Sequence, residues 1–316
     1  MTEGSASLVV EGTTSIHSRA KRLAVIHNPI AGRGRLRRYA AFLDALKARG
    51  LIVKELPTSC RGDAERWARQ VSSAEGDMLV AAGGDGTINE VVNGLLANRQ
   101  GGRELPLAIL PLGTANVLAA EIGLSDDIES CVDCIVRGEV RPITLGQMND
   151  RCFLIMAGVG LDAHVVAQVD VGLKRKLGKL AYVAKLLQQL FTYDFPAYSV
   201  TIGDKSFRAS SVIVAKGRYY GGRLMMAPRA SLFQDKLQVV LFKRSGPWHA
   251  VRYGAALLLG MLPRLEGVQY LEAEALRIEG PAGDPVQADG DIIGLLPAQV
   301  SLIPQAIRLV VPVQAS

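Results

Sequence analysis

The stretch MLVAA-GGDGT-INEVVNGLL occupies residues 78–96. A short apolar run, a glycine-rich turn and a segment with helical spacing follow one another without a break. Gly83, Gly84 and Gly86 let the backbone turn tightly and come close to a ligand. The helix after them aims unpaired N–H groups and the positive end of its dipole at the turn, which suits phosphate. Asp85 is the odd member, because a carboxylate repels phosphate. It fits if Mg²⁺ stands between the two, or if Asp85 handles a hydroxyl proton. The plain alternative is a strand-to-helix turn with Asp85 as its cap.

Outward from this turn the same grammar repeats. Lys21–His27 reads as a buried strand stopped by Asn28-Pro29, and Arg35–Arg49 has helical spacing closed by Gly50. Strand Leu51–Leu56, helix Asp63–Val71, strand Met78–Ala82, helix Ile88–Ala97, strand Leu107–Leu110 and helix Asp126–Arg137 follow. Alternation of this kind predicts a parallel sheet covered on both faces. Ligands of open parallel sheets bind beyond the carboxyl ends of the strands. The turns at residues 28–34 (NPIAGRG), 83–87 and 111–116 (PLGTAN) are therefore expected to meet at one edge, together with Thr58.

Near Val140 the pattern changes to short strands: Ile143–Met148, Phe153–Ala157, Tyr198–Ile202, Phe207–Ala215, Leu237–Phe242, Leu276–Glu279, Val300–Ile303 and Ile307–Val311. Helical stretches Leu173–Tyr193 and Trp248–Leu262 interrupt them. A mostly antiparallel β domain is expected, so the fold class is an α/β domain with a parallel sheet followed by a β-sandwich. The expected division is a Ser/Thr/Gly-rich tail over 1–20, a nucleotide domain over 21–140 and a β domain over 141–316.

The chain has 316 residues, 49% hydrophobic and 21% charged, which is ordinary globular usage. Thirty-six Lys and Arg against 30 Asp and Glu give a net charge of +6. That excess permits an anionic surface or a polyphosphate ligand without demanding either. Aromatic residues are only 5%, so a base-stacking surface for nucleic acid is not expected. Four cysteines make no disulfide scaffold. The longest strongly apolar stretch, Gly254–Leu262, falls far short of the ~20 residues of a spanning helix. A cytoplasmic protein in peripheral contact with the inner membrane face is expected.

The motifs together resemble the diacylglycerol kinase catalytic family, ATP-dependent lipid kinases that include sphingosine and ceramide kinases. The residues carrying the likeness are NPIAGRG (28–34), GDA (62–64), GGDGTINEVVNGL (83–95), PLGTANVLA (111–119), AGVGLDA (157–163), LGKLAYV (177–183), YYGG (219–222) and ADGD (288–291). The resemblance implies an active site in the cleft between the two domains, with the last residues packing back on the first. It implies ATP contacts at Asn28, Pro29, Ile30, Ala31, Gly32, Thr58, Gly83, Gly84, Asp85, Gly86, Thr87, Ile88, Asn89, Glu90, Gly113, Thr114 and Asn116. Asp291 stands where the family has a Glu taken as general base, and Asp85 is the expected carboxylate for Mg²⁺. A second departure is Phe233-Gln234-Asp235-Lys236, where the family often has Asp-Asp-Gly near a structural Mg²⁺. Either Lys236 supplies a fixed charge there or the site is absent.

Other patterns are weaker. The Gly158–Ala163 stretch mimics a dinucleotide fingerprint but is rejected, because a true one needs an immediate long helix and an acidic residue about 20 positions on, and the chain instead reaches Lys174-Arg175-Lys176. Cys131 and Cys134 read as buried helix cysteines, since zinc would need two more ligands. A basic helix over Leu173–Tyr193, carrying Lys174, Arg175, Lys176, Lys179 and Lys185, reads equally as a membrane contact and as a solvated face. The expected partners are a lipid substrate and an anionic membrane surface, with a homodimer left open. The rival functions are an NAD kinase-like small-molecule kinase and a catalytically silent nucleotide-sensing or membrane-binding module.

Overall fold

The computed structural model describes residues 22–29, 33–99, 105–168 and 192–313. The tail over 1–20 and most of the basic stretch over 173–193 lie outside them. Strands β1 (Arg22–His27), β2 (Ile52–Pro57), β3 (Met78–Gly83) and β4 (Leu107–Pro111) pair in the order β2-β1-β3-β4, all parallel. Residues 23–27, all of β3 and all of β4 are buried, as continuous apolar runs in a sheet covered on both sides should be. Helices α1 (Arg33–Ala48), α2 (Asp63–Gln70), α3 (Asp85–Arg99), α4 (Val117–Glu121) and α5 (Ile128–Arg137) follow the strands in turn. On α5 the apolar spacing puts Cys131, Val132, Cys134 and Ile135 inward. Both cysteines are free and buried, and burial pushes their thiols up to about 11 and about 12. They are core residues, as read.

This sheet does not end at β4. The 14-residue strand β18 (Ala298–Val311) lies parallel to β4 at Leu309–Leu107 and antiparallel to β5 (Glu139–Met148) along nearly its whole length. Beyond it run β15 (Leu276–Glu279), β8 (Tyr198–Ile202) and β9 (Lys205–Ala209), and β6 (Arg151–Phe153) pairs with β5. The result is one ten-stranded sheet, parallel at one end and antiparallel at the other. A six-stranded antiparallel sheet covers the second part, in the order β14-β13-β10-β7-β16-β17. Its strands are β7 (Met156–Val159), β10 (Ser211–Ala215), β13 (Leu237–Phe242), β14 (Val268–Ala273), β16 (Pro285–Ala288) and β17 (Asp291–Leu295). Side chains from both sheets, including Tyr198, Val200, Val212, Leu237, Val239 and Ile278, form the sandwich core.

Three strand expectations change. Phe207–Ala215 is not one strand: Ser210 donates its N–H to Phe242 and its hydroxyl to Phe242 and Arg244, and the chain crosses there from one sheet to the other. Phe153–Ala157 is broken because the N–H groups of Leu154, Ile155 and Met156 turn to Asp289. Val300–Ile303 and Ile307–Val311 form one strand, carried across a bulge between Ile303 and Ile307. A helix, α6 (Leu161–Gln168), follows β7 at once, and its described length is eight residues. The remaining elements are a hairpin, β11 (Tyr219–Tyr220) with β12 (Leu224–Met225), and helix α7 (Pro247–Leu258).

Candidate active site

The parallel strands bring Asn28, Thr58, the 83–87 turn and the 111–116 turn to one edge of the sheet. α3 starts at Asp85 rather than Ile88, so the glycine-rich motif is itself the helix's first turn. The first N–H groups of a helix have no acceptor within it. Beside them lies a recess of about 250 Å³ lined by Asn28, Thr58, Ser59, Arg61, Thr87 and Glu90, among others. Its wall is held by Asp63, whose carboxylate takes Ser59 N (2.8 Å), Ser59 Oγ (2.6 Å) and Cys60 N (3.1 Å). These donors keep the Asp63 carboxyl well below the usual range.

The protein's own packing explains some of the glycines and not others. A Cβ on Gly83 would strike the Thr87 side chain at 2.6 Å, and one on Gly113 would meet Gly84 Cα at 2.7 Å. Gly83 thus makes room for Thr87 within its own turn, while Gly84 and Gly113 let the two loops touch backbone to backbone. Gly86 is different: it is exposed, and a Cβ there meets nothing within 4 Å. Nothing in the folded chain requires glycine at that point, whereas close approach of a ligand to the helix start does.

Asp85 joins the same two loops. Its Oδ1 accepts the N–H of Val117 at 2.7 Å and of Leu118 at 3.5 Å, at the start of α4. Burial raises its pKa, with those backbone N–H groups opposing. Asn116, at φ 48°, closes the second loop by accepting Gly113 N at 2.7 Å. Thr114 and Asn116 face a larger cleft of about 1120 Å³ between the two parts of the molecule, lined also by Glu121, Arg141, Arg218 and Tyr219. Glu121 is buried and clamps Arg218 across this cleft, through Arg218 N (2.7 Å) and Nε (2.9 Å).

The two aspartates of ADGD part company. Asp289, at φ 48°, is saturated: Oδ2 accepts Leu154 N (2.7 Å) and Asn89 Nδ2 (2.8 Å), and Oδ1 accepts Ile155 N and Met156 N (both 3.0 Å). It fastens the β16–β17 turn to the β6–β7 corner and to α3. Asp291 makes an ion pair with Arg61 at 3.2 Å, and both side chains are accessible to solvent. Since Arg61 lines the recess, the Asp291 carboxylate stands at its rim.

The residues given to ATP therefore spread out. Asn28, Thr58, Thr87 and Glu90 line the recess, Thr114 and Asn116 line the cleft, and Gly83, Gly84, Asp85, Gly86 and Gly113 form the seam between them. Pro29 is exposed at the end of β1. Ile30, Ala31 and Gly32 lie outside the described residues. Ile88 is in the core, with its N–H on Gly84 O at 3.1 Å, and Asn89 is committed to Asp289 and Cys152 O. Sequence reasoning passed over Arg61, Asp63, Glu121, Arg218 and Lys216. The GDA motif flagged the second of these, but no local signal marks the others.

Among the described residues no three His, Cys, Asp or Glu side chains converge on one point, so no closed set of protein ligands surrounds a metal. Oδ1 of Asp85, the carboxylate expected for Mg²⁺, accepts backbone N–H groups, and a divalent ion there would be shared with the phosphates of a nucleotide. At the second expected position a lysine intrudes. Lys216 is 0% exposed and its ammonium donates to the carbonyls of Gln234 and of Lys236, the latter at 3.2 Å. Asp235 accepts the Thr144 hydroxyl. Lys236 points outward to Glu272 at 3.0 Å. The ammonium held at this place is therefore that of Lys216, not Lys236, and it takes the carbonyls of Gln234 and Lys236.

Residues 22–148 match the family described as diacylglycerol kinase catalytic domain, and residues 155–311 match the YegS C-terminal NAD kinase beta sandwich-like domain. The diacylglycerol kinase of Bacillus subtilis (strain 168) is 30% identical over 298 residues, covering 92% of this chain and 97% of its own. A protein of Shewanella frigidimarina named "Probable lipid kinase YegS-like" is 29% identical over 236 residues, 74% of this chain and 76% of its own. A crystal structure of a diacylglycerol kinase from Bacillus anthracis str. Sterne superposes with a TM-score of 0.75 at 25% identity, covering 93% of this chain and 98% of that one.

Proposed function

The chain belongs to the diacylglycerol kinase catalytic family, and we propose that it moves the γ-phosphoryl group of ATP to a hydroxyl of a lipid such as diacylglycerol. The observation that carries this reading is the pairing of a phosphate-ready helix start, unobstructed at Gly86, with an accessible carboxylate, Asp291, ion-paired to Arg61 of the neighbouring recess. The relatives' names favour a lipid acceptor over the NAD kinase-like alternative.

In this reading the N–H groups of α3's first turn, with Thr87, Thr58 and Asn28, take the phosphates. Asp85 contributes indirectly, by fixing the 111–116 loop against the 83–87 turn. The lipid hydroxyl enters beside Asp291, which accepts its proton as the hydroxyl oxygen bonds to the γ-phosphorus. The bond from that phosphorus to the bridging oxygen breaks, and ADP leaves. Arg61 pairs with the Asp291 carboxylate and, being long and exposed, can swing to the transferring group. Phosphoryl transfer rests on such positioning and charge neutralisation. A divalent ion carried in on the nucleotide would supply further neutralisation, and no residue here is assigned to hold it.

The test is transfer of label from γ-labelled ATP into a total lipid extract, with identification of the labelled species and NAD as a parallel acceptor. Labelled phosphatidic acid or another phospholipid is the expected product. Labelled NADP with no labelled lipid would overturn the proposal.

A further inference from the structure

Helix α7 presents the wrong face to water. Its inner side is conventional: Tyr253 and Ala256 are buried, the Tyr253 ring meets Phe242 edge-on at 4.9 Å, and the Tyr253 hydroxyl donates to Gly267 O and accepts Arg244 N. The outer side should then be polar. Instead Trp248, Val251, Ala255 and Leu258 follow one another three and four residues apart on the exposed stripe, with Arg252 beside them, continued by Leu259 and Met261. Trp248 is 73% exposed, Leu258 71% and Leu259 73%. Scattered exposed apolar residues need no explanation, but a contiguous apolar stripe marks an interaction surface.

Charge says which kind. From Lys243 to Leu265 there is no acidic residue, and Lys243, Arg252 and Arg264 are exposed around the stripe; Arg244 is exposed too but pairs with Glu266 at 3.0 Å. An apolar strip carrying a tryptophan and rimmed by basic side chains is complementary to an anionic lipid surface, where indole sits at headgroup depth. A protein partner of equal fit would have to be both apolar and acidic. Position agrees: α7 packs against the β11–β12 hairpin, whose neighbours Arg218, Tyr219 and Arg223 line the large cleft.

We propose that the outer face of α7, with Leu259 and Met261, is the surface by which the protein docks on an anionic phospholipid bilayer. The proposal rests on the lipid-kinase reading for its purpose but not for its chemistry. The test compares the full chain with a Trp248→Ser/Leu258→Ser/Leu259→Ser variant, whose thermal melt should match because all three side chains are exposed. Flotation with vesicles of phosphatidylcholine alone, or mixed with phosphatidylglycerol, should show binding to the mixed vesicles only, weakened by salt, and roughly tenfold or more weaker in the variant. In a Trp67→Phe background the emission of Trp248 should shift to the blue on binding. Equal binding by the variant, or no shift, would overturn the proposal. So would an oligomer in vesicle-free solution that the variant dissociates, because the face would then join two copies. Kinase assays keep the two readings apart: the variant should retain turnover on lipid in detergent micelles and lose it on vesicles. Vesicle binding that depends on this face, with no lipid phosphorylated in either format, would refute the kinase reading and leave the docking surface standing.

Discussion

Replacing Asp289 by Asn separates a brace from a base. The carboxylate accepts four N–H donors, two at each oxygen. An amide presents one oxygen and one NH₂, so whichever way it turns, two donors face a donor. Hydrogen bonds to a charged group contribute about 1.5–3 kcal/mol each, so the loss is about 3–6 kcal/mol. At about 2 °C per kcal/mol for a chain of this size, Tm should fall by roughly 6–12 °C. Differential scanning fluorimetry, with nucleotide binding measured below the transition, is the assay. ATP binding should survive at low temperature, because the recess does not include Asp289. Pairing the change with Asn89→Ala should show a coupling of about 0.5–3 kcal/mol, as one bond is shared. A variant that melts with the wild type yet is inactive would refute this reasoning and make Asp289 the proton acceptor.

Asp291→Asn should lose most turnover with Tm unchanged, since its recorded ion-pair partner is an exposed arginine, and Asp291→Glu should keep much of it; a fully active Asn variant would remove Asp291 from the chemistry. Gly86→Ala should leave Tm unchanged or slightly raised, as alanine favours a helix, but should weaken ATP binding measured by calorimetry; unaltered affinity would mean that no ligand approaches there. Burial pushes the Lys216 ammonium down to about 8, below the ordinary 10.5, so folding disfavours its charged form. Relative to Lys216→Met, the wild type should therefore gain stability as pH rises from about 8 to about 10.5, by about 3 kcal/mol at most, and a pH-independent difference in the two melting curves would contradict it.

Much of this was legible in residue order. The parallel strands are unbroken apolar runs, and the turns after them carry the glycines that the loop contact at Gly84 and Gly113 requires. What stayed hidden depends on partners far along the chain. The sequence ADGD offers two equivalent carboxylates, and only the N–H groups of residues 154–156 distinguish them. Asp85 reads as a phosphate-loop oddity until Val117 appears beside it. Strands β16 and β17 are four and five residues long, with a buried Gln287 that period-two patterning counts as outward. Helix α7 carries apolar residues on both its inner and its outer side, so its helical spacing could be read but not the face it turns to water.

Strand β18 has a bearing on biosynthesis. The edge of β4 is closed by Leu309, more than half the chain downstream, and β5 finds its partner in the same late segment. During translation the N-terminal half therefore emerges with an open strand edge and keeps it until nearly all of the remaining residues have been made. Contacts so distant in sequence are slow to form, and an unpaired edge recruits other chains meanwhile. The two halves are thus poor candidates for separate expression: a fragment stopping after β5 would display the raw sides of β4 and β5 and should aggregate. Supplying residues 298–311 as a peptide to such a fragment offers a route to rescue, since it restores the missing strand to both neighbours at once.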